Sequence, residues 1–257
     1  MSKLAAQDKF LDLSDYGRPI GKWFANQLKN TRFTPIHVTL LFGITGLIAI
    51  YCILQNHYYL AGLFLILKSI IDAADGELAR IKNTPSYTGR YLDSVFDIFL
   101  NFMFLMTICY VSKTSFWMTL IAFFCIQLQG TLYNYYYVIL RNKSVGGDST
   151  SKIFEYKSPR ALAGENQKSV DILFKIYTIV YGPFDKIIHL LDSQAYRVKS
   201  LSSWFMSLVS IYGLGFQLLI IAIMLPMNWI EYIIPFFIIY TFMIFVLIGI
   251  RKRIFKT

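Results

Sequence analysis

The sequence predicts an all-α integral membrane protein, six transmembrane helices preceded by an amphipathic interfacial helix, and three observations carry that prediction. The 257 residues are 56% hydrophobic and 17% aromatic, with a mean hydropathy of +0.50, well above the range of a soluble domain. Several apolar runs approach the ~20 residues that a helix needs to cross hydrocarbon. Lysines and arginines cluster in alternate connections between those runs, as the positive-inside rule requires of a multi-span protein.

Residues 1–36 read as a cytoplasmic N-terminal segment. No apolar core precedes residue 37, so no secretory signal is expected there. Within the segment Ile20, Trp23, Phe24 and Leu28 share one helical face, Lys22, Asn26 and Lys29 face away, and Pro19 suits a helix start. This pattern predicts an interfacial helix lying on the cytoplasmic leaflet.

Residues 37–257 read as one membrane domain with spans at about 38–54, 58–74, 92–111, 116–140, 204–225 and 229–250. The second is the weakest, because its apolar run ends at Ile71 and contains Lys68. Its helix is expected to leave the membrane and carry the segment "DAADGELAR" into water or a cavity. The connection 141–203 is long. After a polar, glycine-containing start, Val170, Leu173, Phe174, Tyr177 and Tyr181 mark one helical face, Gly182 and Pro183 interrupt it, and Phe184, Ile187, Ile188 and Leu191 resume it. Two amphipathic helices resting on the cytoplasmic membrane surface are expected, in preference to a small soluble lobe.

The charge pattern orients the chain. Lys3, Lys9, Arg18, Lys22, Lys29 and Arg32 precede the first span, Arg80, Lys82 and Arg90 follow the second, and Arg251, Lys252, Arg253 and Lys256 close the tail. The opposite connections carry only Lys113, which places both termini and the acidic segment in the cytoplasm. The net charge of +10 is accounted for by this topology and by attraction to anionic membrane lipids, so no nucleic-acid partner is called for. Cys52, Cys109 and Cys125 all fall inside spans and read as packing residues, and the scattered His37, His57 and His189 do not suggest a zinc site.

The chemistry lies in residues 72–97, "DAADGELARIKNTPSYTGRYLDSVFD". At 100° per residue Asp72, Asp75, Gly76, Ala79 and Arg80 occupy one side of a helix, while Gly89, Asp93 and Asp97 form an i, i+4, i+8 stripe on the next. Facing helices would gather four carboxylates, whose mutual repulsion calls for bound cations. Oxygen donors without nearby Cys or His suit Mg²⁺, Mn²⁺ or Ca²⁺, and four aspartates are enough to share two such ions. Because Mg²⁺ commonly completes its shell with phosphate oxygens, a phosphate-bearing substrate is the natural partner. Gly76, Ala79 and Gly89 clear space for a ligand, Arg80 supplies a fork for phosphate, and Glu77 is expected to point away into solvent.

These residues resemble the signature of the CDP-alcohol phosphatidyltransferase family, D-x-x-D-G-x-x-A-R, eight residues, then G-x-x-x-D-x-x-x-D. Asp72, Asp75, Gly76, Ala79, Arg80, Gly89, Asp93 and Asp97 match it at every fixed position. The resemblance implies transfer of a substituted phosphate from a CDP-linked donor to an alcohol with release of CMP. It implies that Asp72, Asp75 and Asp93 hold Mg²⁺ or Mn²⁺, that Asp97 completes the second of two metal sites and serves as base, and that Gly76, Ala79, Arg80 and Gly89 face the donor. CDP-diacylglycerol with a polar alcohol is the favoured substrate pair, with CDP-choline or CDP-ethanolamine and diacylglycerol as the alternative. A divalent-cation transporter and a non-catalytic scaffold are the readings from other classes. Basic residues of the long connection, Lys152, Lys157, Arg160, Arg197 and Lys199, are candidates for holding a phosphorylated acceptor, Arg160 and Arg197 foremost. Whether the protein forms a homodimer is left open by the sequence.

Overall fold

A computed structural model describes residues 4, 6–144, 155–198 and 200–255. Among the described residues the chain is helical: α1 (Arg18–Leu28), α2 (Pro35–Leu54), α3 (Tyr58–Ile81), α4 (Tyr87–Ser112), α5 (Phe116–Lys143), α6 (Gln167–Leu191), α7 (Ser203–Val209), α8 (Leu214–Met224), α9 (Ile230–Tyr240) and α10 (Met243–Ile254). Short 3-10 turns precede α1 and α7 and join α7 to α8.

Among the described residues four helical stretches are long and apolar enough to cross a membrane: Pro35–Leu54, Tyr87–Ser112, Phe116–Lys143 and Ile230–Ile254. The pair Ser203–Tyr212 and Leu214–Met224, bent by 53°, makes a fifth if it counts as one broken span. The expected second span is a continuous helix, but Lys68, Asp72 and Asp75 interrupt its apolar run and keep it out of this set. The fold is therefore an all-α membrane bundle of four to five candidate spans, fewer than the six expected.

Two apolar cores hold the bundle. One joins α2, α3, α4, α8 and α9 through residues such as Phe42, Leu65, Leu78, Phe104, Leu218 and Phe237. The other surrounds the C-terminal half of α5 with Tyr136, Phe205, Tyr212 and Leu247. Association of helices in lipid relies on packing and interhelical hydrogen bonds, since lipid is as apolar as leucine. Gln129 supplies such bonds: its Nε2 donates to the Phe237 carbonyl (3.0 Å) and to Thr241 Oγ1 (2.7 Å), and its Oε1 accepts from Gln217 Nε2 (3.0 Å).

Helix α3 is central, packed by α1, α2 and α8. The approach of α1 is close because of two glycines: a Cβ on Gly21 would lie 2.9 Å from the Ile70 carbonyl oxygen, and one on Gly17 2.9 Å from Ile70 Cγ1. Gly21 and Ala25 form the buried stripe of α1, with Phe24 and Leu28 partly buried beside them. Ile20 and Trp23 remain exposed, so the packed face is not the large-residue face that the periodicity picks out. A helix can dock by its smallest residues and leave its bulky apolar ones for lipid.

The long connection differs from expectation. Gly182 and Pro183 do not interrupt it: α6 runs unbroken through Pro183 as a single helix. It also packs against α4 and α5. The predicted stripe is the inward one, with Val170, Phe184 and Ile188 buried. Tyr91 of α4 meets the Phe174 and Tyr177 rings at 5.7 and 5.2 Å, and Tyr181 Oη donates to the Ser94 carbonyl at 3.0 Å. This packing offsets the one backbone hydrogen bond that a proline removes.

Candidate active site

The acidic face forms where the end of α3 meets the start of α4. Asp72 and Asp75 lie three residues apart on α3 and Asp93 lies on α4. Each offers a carboxylate oxygen within 4.8 Å of the others. Asp75 is buried and accepts a hydrogen bond from Thr39 Oγ1 of α2 at 2.8 Å. Among the described residues Asp93 Oδ1 is buried with no hydrogen-bond partner. An orphaned carboxylate oxygen beside two further carboxylates is costly unless a cation lies among them, so these three residues fit a divalent ion with hard oxygen preference.

Asp97, one turn beyond Asp93, is not part of that group. Its Oδ1 takes a hydrogen bond from Lys68, whose ammonium also stands 4.0 Å from Asp72 Oδ2 and 4.6 Å over the Phe42 ring. Lys68 is wholly buried. Sequence reasoning registered it only as a charge that weakens a span. Its spacing, i−4 from Asp72, was the signal that could have placed it on the acidic face.

Arg80 lies across Gly76: a Cβ there would sit 3.5 Å from the guanidinium. Its terminal nitrogen donates to Glu77 Oε1 at 2.8 Å, while its Nε is buried without a partner among the described residues. Glu77 corrects the expectation of a solvated acid. It is buried, bonded to Arg80 and 3.8 Å from Arg18 of α1, because α1 and the preceding turn cover that side of α3. A cavity of about 630 Å³ opens there, with Lys9, Arg18, Lys22, Glu77, Arg80 and Tyr137 in its wall, a feature without a local sequence signal. Ala79 is half-buried on the same helix.

The start of α4 is held from the long connection. Ser86 caps the helix, its Oγ accepting from the Gly89 amide at 2.8 Å, and a Cβ on Gly89 would approach that oxygen to 3.2 Å. Glu165 accepts from Ser86 Oγ (2.7 Å), from the Thr88 amide (2.7 Å) and from the Leu162 amide (3.0 Å). These donors pull its carboxyl below the usual carboxylate range against the opposing effect of burial. Glu155 holds Arg90 and accepts from Tyr91 Oη at 2.7 Å. The acids of the connection thus clasp the helix that carries Asp93 and Asp97. Arg160 is exposed in this clasping segment; Arg197 is exposed near α5, its Nε donating to Tyr196 Oη at 3.0 Å. Lys152 and Lys199 lie outside the described residues.

An all-helical bundle of apolar spans that gathers three carboxylates at paired helix ends is a membrane protein with a candidate divalent-metal centre. The chain belongs to the CDP-alcohol phosphatidyltransferase family, whose model matches residues 32–163, just over half of its length and all eight signature positions. It is 34% identical over 86 residues to the bifunctional IPC transferase and DIPP synthase of Aquifex aeolicus, a match that covers 33% of this chain and 19% of that protein. The protein of the same name from Thermococcus kodakarensis is 33% identical over 87 residues, 34% of this chain and 20% of the relative. That from Archaeoglobus fulgidus is 48% identical over 46 residues, 18% and 9%. The matches span a fifth or less of these relatives.

Proposed function

We propose that the protein transfers a substituted phosphate from a CDP-linked donor, CDP-diacylglycerol in our reading, to an alcohol acceptor with release of CMP, in phospholipid biosynthesis. The observation that carries the proposal is the gathering of Asp72, Asp75 and Asp93 beside an Arg80 that lies over Gly76. The three aspartates would hold Mg²⁺ or Mn²⁺, which when bound supplies charge neutralisation for a diphosphate and a better leaving group. Arg80 would turn its unpartnered Nε toward donor phosphate, and Gly76, Ala79 and Gly89 would leave the donor room between the helices. Asp97 would accept the proton of the acceptor hydroxyl as its oxygen bonds to phosphorus and the bond to CMP breaks. A signature at the end of α3 lets a lipid donor keep its acyl chains in the bilayer while its head group meets a polar acceptor.

The finer topology belongs to the same reading. We place α3 as a span that ends at the active site, α1 as an interfacial helix with Ile20 and Trp23 toward lipid, and both termini and the acidic face in the cytoplasm. Residues 1–36 are then the N-terminal segment, 37–257 the catalytic membrane domain and 141–203 its long connection. Arg160 and Arg197 are proposed to hold the acceptor if it is phosphorylated. In that case Arg160→Ala or Arg197→Ala raises the acceptor KM and leaves the donor KM nearly unchanged.

The test is CMP release by purified protein across both donor types and a panel of alcohols, with and without EDTA. Activity that EDTA abolishes and Mg²⁺ or Mn²⁺ restores is expected with CDP-diacylglycerol. Activity only with CDP-choline or CDP-ethanolamine and diacylglycerol would reverse the assignment of donor and acceptor. No CMP release under any combination, with divalent-cation flux in vesicles, would replace the transferase by a transporter.

A further inference from the structure

Lys68 is a charged side chain with no exposure, placed at the edge of the aspartate cluster. Desolvating an ammonium is unfavourable unless carboxylates surround it, and here two do: Asp97, which it contacts, and Asp72, at 4.0 Å. In the two-ion reading Asp97 would complete the second metal site, and its carboxylate is the one that Lys68 contacts. The remaining carboxylates behave differently. Asp75 is held by Thr39, and Asp93 keeps a buried oxygen with no partner, pointing to a cation still to be supplied at Asp72, Asp75 and Asp93.

Charge counting agrees with this division. Four aspartates carry four negative charges, and two divalent ions alone would cancel them; Lys68 in addition would leave the protein site positive before any substrate arrived. One divalent ion with Lys68 leaves a single negative charge.

We propose that Lys68 occupies the cation position between Asp72 and Asp97, so that this chain loads one divalent ion, at Asp72, Asp75 and Asp93, in place of two. The inference rests on the metal-dependent reading above. In this arrangement Lys68 is a positioning residue: it fixes Asp97 and offsets its charge, and the lone ion is held by the other three aspartates. The Phe42 ring beneath the ammonium, 4.6 Å away, adds a cation–π contact that water would otherwise have to replace.

The experiment counts Mn²⁺ bound to the detergent-solubilised full chain by electron paramagnetic resonance, without nucleotide, for wild type, Lys68→Met and Lys68→Arg. The expected result is one Mn²⁺ per chain in wild type and in Lys68→Arg, with no dipolar broadening. Lys68→Met should gain a second ion with the broadening of a close pair, because removing the ammonium exposes Asp72 and Asp97 to a cation with an affinity gain of at least about tenfold. Two coupled ions in wild type would overturn the proposal, as would a count that stays at one in well-folded Lys68→Met. If Lys68→Met is not monodisperse, the wild-type count decides alone. No bound Mn²⁺ in any form, together with CMP release that survives EDTA, would instead defeat the metal-dependent reading itself, so the two failures are distinguishable.

Discussion

Two buried carboxylate–cation pairs stand in different parts of this molecule. Lys68 and Asp97 meet between α3 and α4; Arg251 and Asp192 meet between α10 and the end of α6. Lys68, Arg251 and Asp192 are buried and Asp97 is partly buried, yet the surroundings of the two pairs differ. Asp192 is matched one to one, with Arg251 Nε and Tyr136 Oη each donating to its Oδ2 at 2.7 Å. Lys68 is one cation set against Asp97 and Asp72, with Asp75 and Asp93 gathered beside Asp72. A balanced pair is a clasp between elements; an unbalanced one marks a place where charge must still arrive. Burial alone does not tell them apart, and the local charge count does.

The strongest way to break that contrast is to neutralise one charge on each side. Asp93→Asn should lower CMP release by on the order of 10²–10³-fold or more, as expected from losing major electrostatic stabilisation, with little loss of thermal stability. On the clasp side, Arg251→Met should cost about 3–5 kcal/mol of stability by stranding Asp192, while the protein that remains folded keeps its turnover. Denaturation midpoints read alongside turnover check both, and a catalytic defect in folded Arg251→Met would erase the distinction.

Asp97 sits on the border, being paired like the clasp yet placed like the site. Asp97→Asn should reduce turnover by about 10²-fold, the usual cost of losing an acid–base group, and weaken CDP-donor binding less than Asp72→Asn does. Equal losses of donor binding would make Asp97 a holder of the site and not its base.

Asp185 of α6 sharpens the comparison from a third direction, as a largely buried acid set beside another acid. Burial, with a smaller contribution from Glu155, pushes its carboxyl up to about 6. The folded chain then binds a proton that the unfolded chain has already released, so this residue's contribution falls as pH rises from about 4 through about 6. Asp185→Asn should therefore stabilise the protein by about 1–2 kcal/mol at pH 8 and by nearly nothing at pH 4. Thermal melts at the two values check the sign; equal shifts at both would show that the carboxyl is not displaced.

Much of the architecture is legible because lipid imposes a simple demand. Every backbone group inside hydrocarbon must bond within its own helix, so apolar runs such as those of α2, α4 and α5 announce themselves. The acidic face is legible for a related reason: aspartates at helical spacing in an apolar chain have few structural excuses, and their register puts Asp72 with Asp75 on one helical face and Asp93 on the next, leaving the helix pairing to bring the two faces together. The inward stripe of α6 could also be read from its periodicity. Its continuity could not, since whether a proline breaks a helix depends on neighbouring packing that the local sequence does not contain.

The sequence by itself determined the membrane class, the helices that carry the signature and the family to which they belong, because each follows from local composition and fixed spacing. Tertiary structure alone decided how the charges pair. Glu77 went to Arg18, Glu155 and Glu165 to the start of α4, Asp192 to Arg251, and Lys68 to Asp97. The physical reason is range: a helical period relates residues three or four apart, whereas the cost of a buried charge is settled by whichever partner the fold brings within a few ångströms, from 29 residues away for Lys68 and Asp97 and from 59 for Asp192 and Arg251.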